Sequence, residues 1–490
     1  MLAYGVLAVR FFMGTPTPST DEVTRLNTGL NAVPESDRAW PLVEPVSAEM
    51  DKRRAVDIAQ RAFDFDPDVP VDDPRWTQVK EGLQRNARLL DIASDIARKP
   101  RLGYEFGEVS ARAYYRRYEG TALERFWRGW HGPMNPIELA TPNTVPMNLA
   151  SLTQLLAADG RLAYLDGDVA RLDRRVHEIL AYSLLIRETH VLYPSLLEVE
   201  VRARAVSLLL EALQAVPEKP TNQQLVGWAH ALSGPKTTLD LTDTGTRRDF
   251  ARAVASRLFT DDGHGDGRLT PAGLTAIIKT GVFETRGLSG EFEQWAPRQR
   301  VPMTALMPLL ALKAPSRQEA LAEFEMWMRR SESLLAGPYD GNAWLKLYTI
   351  ADAGRGNSYS GLQHFLTLTF AGPAEWEARA ASDYLIQRDQ AVIAIALILY
   401  RREYGQWPES LDALVPAYLP SLPPDRIARG EAWRECAVPA PTSADPNALR
   451  FVPFHSVVYV VLNGKATLYA DNASGTASRT VTIPASVDSH

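Results

Sequence analysis

One loop carries the pattern closest to a metal site. Asp262-Gly263-His264-Gly265-Asp266-Gly267-Arg268-Leu269-Thr270 partly follows an EF-hand loop, which wraps a hard calcium ion in carboxylate, carbonyl and hydroxyl oxygens. Asp262 takes the first position, Asp266 the fifth and Thr270 the ninth, with Gly267 at the sharp turn and Leu269 as the apolar residue. Two departures weaken the match. His264 puts a nitrogen at position three, and Gly273 stands where the motif has its bidentate glutamate. Asp262, Asp266 and Thr270 are the candidate metal ligands, and calcium, held weakly, is the one cofactor the pattern suggests. The competing reading is a Gly/Asp-rich turn between Phe259 and a helix that starts near Pro271.

The acid–base candidates are more scattered. His177-Glu178 and Glu188-x-His190 lie near one another on a predicted helix, but no His-Glu-x-x-His spacing exists. Residues four apart share a helix face and can chelate one ion; His177 and His190 are out of that register. Glu198 and Glu200 point to different faces, and Arg202 and Arg204 follow them at i+4, which predicts two solvated ion pairs rather than an acid/base dyad. Gly354-Arg355-Gly356 is followed by Tyr359 where a dinucleotide loop needs its third glycine, and Gly356-x-Ser358 by Ser360 where a nucleophile elbow needs one. The single cysteine, Cys436, excludes an intrachain disulfide and a Cys-based zinc site. No catalytic set emerges.

The elements that would position such residues are helical. The chain has 490 residues, 45% hydrophobic and 23% charged, with a net charge of −6, which describes a folded body and argues against a nucleic-acid footprint. From Ser47 to about Arg402 the helical period dominates. Val79, Leu83, Ala87, Leu90, Ile92 and Ile96 recur mostly three and four apart, and similar stripes cover 162–187 and 193–216. Breaks fall at Pro217–Asn222 and at Gly234-Pro235. Further helices are predicted over 302–312 and 316–335, split by Pro315; Pro308 weakens the first, and Ser316 with Glu319 forms a capping box for the second. No fixed repeat period is present.

The N-terminus reads MLAYGVLAVRFFM, apolar except for Arg10, then Thr15-Pro16-Thr17-Pro18-Ser19-Thr20. Thirteen residues are too few to span a bilayer, and a Thr/Pro run favours an extended spacer. The pattern predicts the end of a membrane anchor followed by a stalk, over 1–20, with an apolar arm docked on the body as the competing reading.

The last quarter changes character. Residues 385–404 read LIQRDQAVIAIALILYRREY, a buried helix ended by Gly405, and Trp407-Pro408-Glu409-Ser410 opens a short second helix through Leu414. Ser456 to Leu462 is β-branched and aromatic nearly throughout and predicts a central strand buried on both faces. Asn463-Gly464 is the strongest short hairpin signal, with return strands at 465–469 and 480–483. The helix's apolar run should cover this sheet, with Ile393, Leu397 and Tyr400 against Val458 or Val460.

The string from Leu399 through Tyr400-Arg401-Arg402-Glu403-Tyr404-Gly405-Gln406-Trp407-Pro408 to Leu422-Pro423-Pro424-Asp425 resembles type II secretion major pseudopilins. In those proteins a long helix ends in Tyr, a Gly-x-Tyr-Pro turn follows, and a Leu-Pro-x-Asp-Pro stretch leads into a small antiparallel sheet; Trp407 and Arg426 depart from that pattern. Together with Ala32-Val33-Pro34-Glu35-Ser36-Asp37-Arg38-Ala39-Trp40-Pro41 and the N-terminal stub, the chain is similar to a family of large bacterial membrane-anchored envelope proteins without an assigned activity.

The expected architecture is mainly α. An irregular multi-helix body over 21–372 follows the anchor and stalk, and a small C-terminal α+β module occupies 373–490. The expected function is a non-catalytic, envelope-associated protein whose helical body binds a protein or envelope component. Its membrane contact would run through the N-terminal segment, with the body outside the cytoplasm. The alternatives are a hydrolase with an Asp/Glu/His site in a cleft of the body, and a cytoplasmic location.

Overall fold

The helical stripes become sixteen helices in the computed structural model, which describes residues 2–16, 21–28, 33–53, 73–105, 144–189, 194–234, 245–261, 266–279, 303–352, 364–370, 374–424, 426, 435–439, 449–453, 457–462, 464–470 and 479–484. In chain order they are α1 (Leu2–Phe12), α2 (Asp21–Leu26), α3 (Trp40–Arg53), α4 (Arg75–Arg85), α5 (Ala87–Ala97), α6 (Thr144–Leu165), α7 (Val169–Arg187) and α8 (Pro194–Ala215). After these come α9 (Asn222–Ser233), α10 (Gly245–Leu258), α11 (Pro271–Lys279), α12 (Met303–Ala311), α13 (Arg317–Leu335), α14 (Gly341–Asp352), α15 (Phe365–Phe370) and α16 (Ala374–Tyr404).

Local chemistry sets the helix ends. Ser316 accepts from the Glu319 amide at 3.2 Å while the Glu319 carboxylate accepts from the Ser316 amide at 2.8 Å, so the capping box forms ahead of α13. Thr221 and Gln224 build the same device for α9. The stripe over 76–98 divides into α4 and α5 at Asn86, whose side-chain amide donates to the Gly82 carbonyl at 2.9 Å. The stripe over 162–187 likewise breaks at Gly167, which takes the positive φ of 75° that a residue with a Cβ resists.

Two hydrophobic cores result. The first gathers α3 to α9, most of α16 and the C-terminal sheet. At its centre α8 packs on α6, α7 and α16. The second gathers α10 to α15 and receives Phe11 from α1. Helix α16, 31 residues long, belongs to both: Ala374 and Ala378 sit in the second core, while the stretch from Ala381 to Ile398 sits in the first. Its run from Ala391 to Ile398 is apolar on every side, and only Val392 is partly exposed, as befits a helix enclosed by others.

The C-terminal strands are β1 (Glu435–Pro439), β2 (Leu449–Pro453), β3 (Val457–Leu462), β4 (Lys465–Ala470) and β5 (Arg479–Ile483). β1 and β2 form an antiparallel pair, and β3, β4 and β5 a separate antiparallel sheet in that order. Gly464 turns the β3–β4 hairpin with φ 74°, as a type I′ turn requires. Three expectations need correction. β3 is an edge strand and β4 the central one, because β5 adds to β4 rather than to β3. The residues sharing a core with Ile393 and Leu397 are Val457, Ala466, Leu468, Val481 and Ile483, not Val458 or Val460, which belong to the opposite face and are buried there. The short second helix is also smaller than expected, a single 3-10 turn at Leu411–Leu414. The Trp407 indole donates to the Gly464 carbonyl at 2.8 Å, with the Arg401 guanidinium 4.7 Å over its ring, so the aromatic–Pro turn is tied to the hairpin.

Candidate functional site

Where α16 passes from one core to the other, it leaves a cleft of about 350 Å³ against the end of α13. Ala336-Gly337-Pro338-Tyr339 forms one wall, because Pro338 cannot continue the helix. Ala378, Ala381, Ser382 and Leu385 of α16 form the floor, and Pro424 and Arg426 close the far side. The Arg426 carbonyl accepts from both the Tyr339 amide (3.0 Å) and the Ser382 hydroxyl (2.8 Å), which fixes that side in place.

The polar groups of the cleft are already engaged, Ser382 with the Arg426 carbonyl and the others with carboxylates beside the cleft. The Tyr339 hydroxyl donates to Glu375 Oε1 at 2.8 Å. Burial, and then the Glu375 carboxylate, push the phenol above its ordinary value, so it stays protonated at neutral pH. Arg426 Nε donates to Asp389 Oδ2 at 2.8 Å, and Asp389 also accepts from Arg388 at 2.6 Å. The described lining thus offers aliphatic surface, a phenol, a hydroxyl and a guanidinium, with no carboxylate or imidazole among the described wall residues. Such a surface suits an apolar segment with a polar end.

A histidine–carboxylate contact lies elsewhere, between α13 and the residue before α15: His364 Nδ1 is 2.5 Å from Glu323 Oε1. Burial raises the Glu323 carboxyl despite the opposing effect of His364.

Among the described residues, no group of three His, Cys, Asp or Glu gathers where it could hold a metal ion. Asp262 lies outside the described residues. Asp266 is exposed on the turn before Thr270. Thr270 is buried; its hydroxyl donates to the Leu258 carbonyl at 2.8 Å and accepts from the Gly273 amide at 3.0 Å, so it caps α11. His177 is half exposed with Nδ1 3.4 Å from Asp173, and His190 lies outside the described residues. Glu198 and Arg202 pair at 2.7 Å as their spacing implies, but both are buried, and Arg204 is buried beside the half-exposed Glu200. The expected solvation is corrected by the position of α8, which is enclosed by three helices.

Sequence reasoning missed Tyr339, Ser382 and Arg426, which carry no motif. The one local signal was Gly337-Pro338 directly after a capped helix, a break wide enough to open a wall. The chain matches no family model, no curated protein and no solved structure, so the chemistry of the cleft is drawn from its geometry alone.

Proposed function

We propose that this is a non-catalytic, envelope-associated protein that binds a protein or cell-envelope component, and that an apolar segment of that component enters the cleft between α13 and α16. The supporting observation is the cleft's composition: an aliphatic wall whose few described polar groups are already paired, with no acid–base constellation among the described residues. The resemblance of residues 399–423 to pseudopilins, with the apolar N-terminal segment, supports placing the body outside the cytoplasm. Purification of tagged full-length protein from its native host tests the reading. A component retained by wild type and lost from Leu385→Arg, which fills the cleft with charge, is the expected result. Identical retention by a folded Leu385→Arg protein would overturn it.

The Glu323–His364 pair favours a second reading, a hydrolase. It predicts hydrolytic activity, on an ester, peptide or glycoside panel, that disappears in His364→Gln.

A further inference from the structure

The most unusual surface of the molecule is where α1 lies against α12. Phe11 enters the second core beside Met307 and Leu310, which fixes the contact between the two helices. On these two helices and the turns after them, Tyr4, Val6, Val9, Phe12, Met13, Leu309 and Leu312 are exposed, seven of the fourteen large apolar side chains exposed among the described residues. Exposures of 59% at Val9, 75% at Met13 and 62% at Leu312 exceed what isolated surface apolar residues need to explain.

The charged side chains on the two helices are of one kind. In a chain of net charge −6, neither residues 2–16 nor residues 303–316 contain a single Asp or Glu. Their only charged side chains are Arg10 and Lys313, both exposed. Arg268 joins them through its guanidinium, which donates to the Arg10 carbonyl at 3.3 Å. The turn carrying Arg268 also exposes Asp261 and Asp266, so the cationic character belongs to the two helices rather than to the turn. Geometry limits what such a surface can meet. Eleven residues of helix make about 16 Å, roughly half the hydrocarbon core, and α1 is tied to the body through Phe11 and its contact with α12. A helix fixed that way lies in a bilayer interface, apolar side chains towards the acyl region and cations at the headgroups.

We propose that α1 and α12 together form an interfacial membrane-docking face that takes an anionic lipid surface. The inference rests on the envelope-associated reading and specifies its membrane contact, but it does not depend on what the cleft between α13 and α16 binds.

Sedimentation of the full chain with phosphatidylcholine vesicles, with and without one-third phosphatidylglycerol, tests it. Binding to the anionic vesicles is expected, weakened about tenfold or more by Val9→Asp with Met13→Asp, and several-fold by Arg10→Glu with Lys313→Glu, as the loss of buried apolar area and of cations predicts. All four positions are exposed, and unchanged circular dichroism and melting confirm that the variants fold. Three outcomes overturn the proposal: no sedimentation with either vesicle, anionic binding unaffected by the substitutions, or lipid-free dimerisation abolished by Val9→Asp with Met13→Asp, which would make a second copy the occupant. Leu385→Arg is expected to bind vesicles as wild type does. Loss of vesicle binding alone therefore leaves the cleft reading standing, and loss of the cleft-bound component alone leaves this one.

Discussion

Asp159 shows how one carboxylate is held inside a helical body. It is buried on α6, where it accepts hydrogen bonds from both Arg171 and Arg175 of α7. Burial works to raise its carboxyl, but the bonds from Arg171 and Arg175 outweigh burial and hold it below the usual range. A carboxyl that is lower in the folded state than in the unfolded one adds stability above its unfolded value of about 3.9, and the contribution fades as pH falls through the folded value. The stability difference between wild type and Asp159→Asn is accordingly expected to hold near neutral pH and to shrink below about pH 4. Urea melts at a series of pH values check this, and a pH-independent difference would contradict it. Much at this scale was readable in the sequence where partners are near in the chain. Ser316 with Glu319, and Glu198 with Arg202, pair at the spacing a helix dictates. What was not readable was burial, since Glu198 is enclosed by helices that arrive from elsewhere in the chain.

Among the elements, the β3–β4 hairpin is the most explicit product of local sequence. Gly464 takes the positive φ of the turn, and alternating side chains determine which face meets α16. Leu468, on the central strand and fully buried towards α16, is expected to cost about 2–5 kcal/mol when replaced by Ala. Lys465, exposed at the turn, should cost almost nothing. Denaturant midpoints compare the two, and equal effects would mean that the sheet does not rest on α16. Strand order was hidden from local reading, because β5 reaches β4 across a connection whose length carries no pairing information. The cleft was hidden for a similar reason: Tyr339, Ser382 and Arg426 come from three separate stretches and meet only through backbone and hydroxyl contacts at Arg426.

At the scale of the whole molecule, α16 is the joint. Glu377, buried near its start, accepts from Arg247 of α10 at 2.6 Å, whereas Gln390, thirteen residues on, reaches the Leu468 carbonyl of β4. Continuity of this helix couples the two cores. Ala380→Pro, at the crossing, breaks that continuity at a cost of about 3 kcal/mol. It is expected to split a single urea transition into two, followed by tryptophan fluorescence and circular dichroism; one transition, merely shifted, would show that the cores are coupled by other contacts. The same helix imposes a schedule on the growing chain. Helices α3 to α9 have all been synthesised by residue 233, yet the stretch that completes their core begins roughly 150 residues later, a wait on the order of ten to thirty seconds at ribosomal speed. During that interval the flank of α8 destined for α16 stands uncovered on the nascent polypeptide, which makes it the segment where a chaperone holding early intermediates would bind.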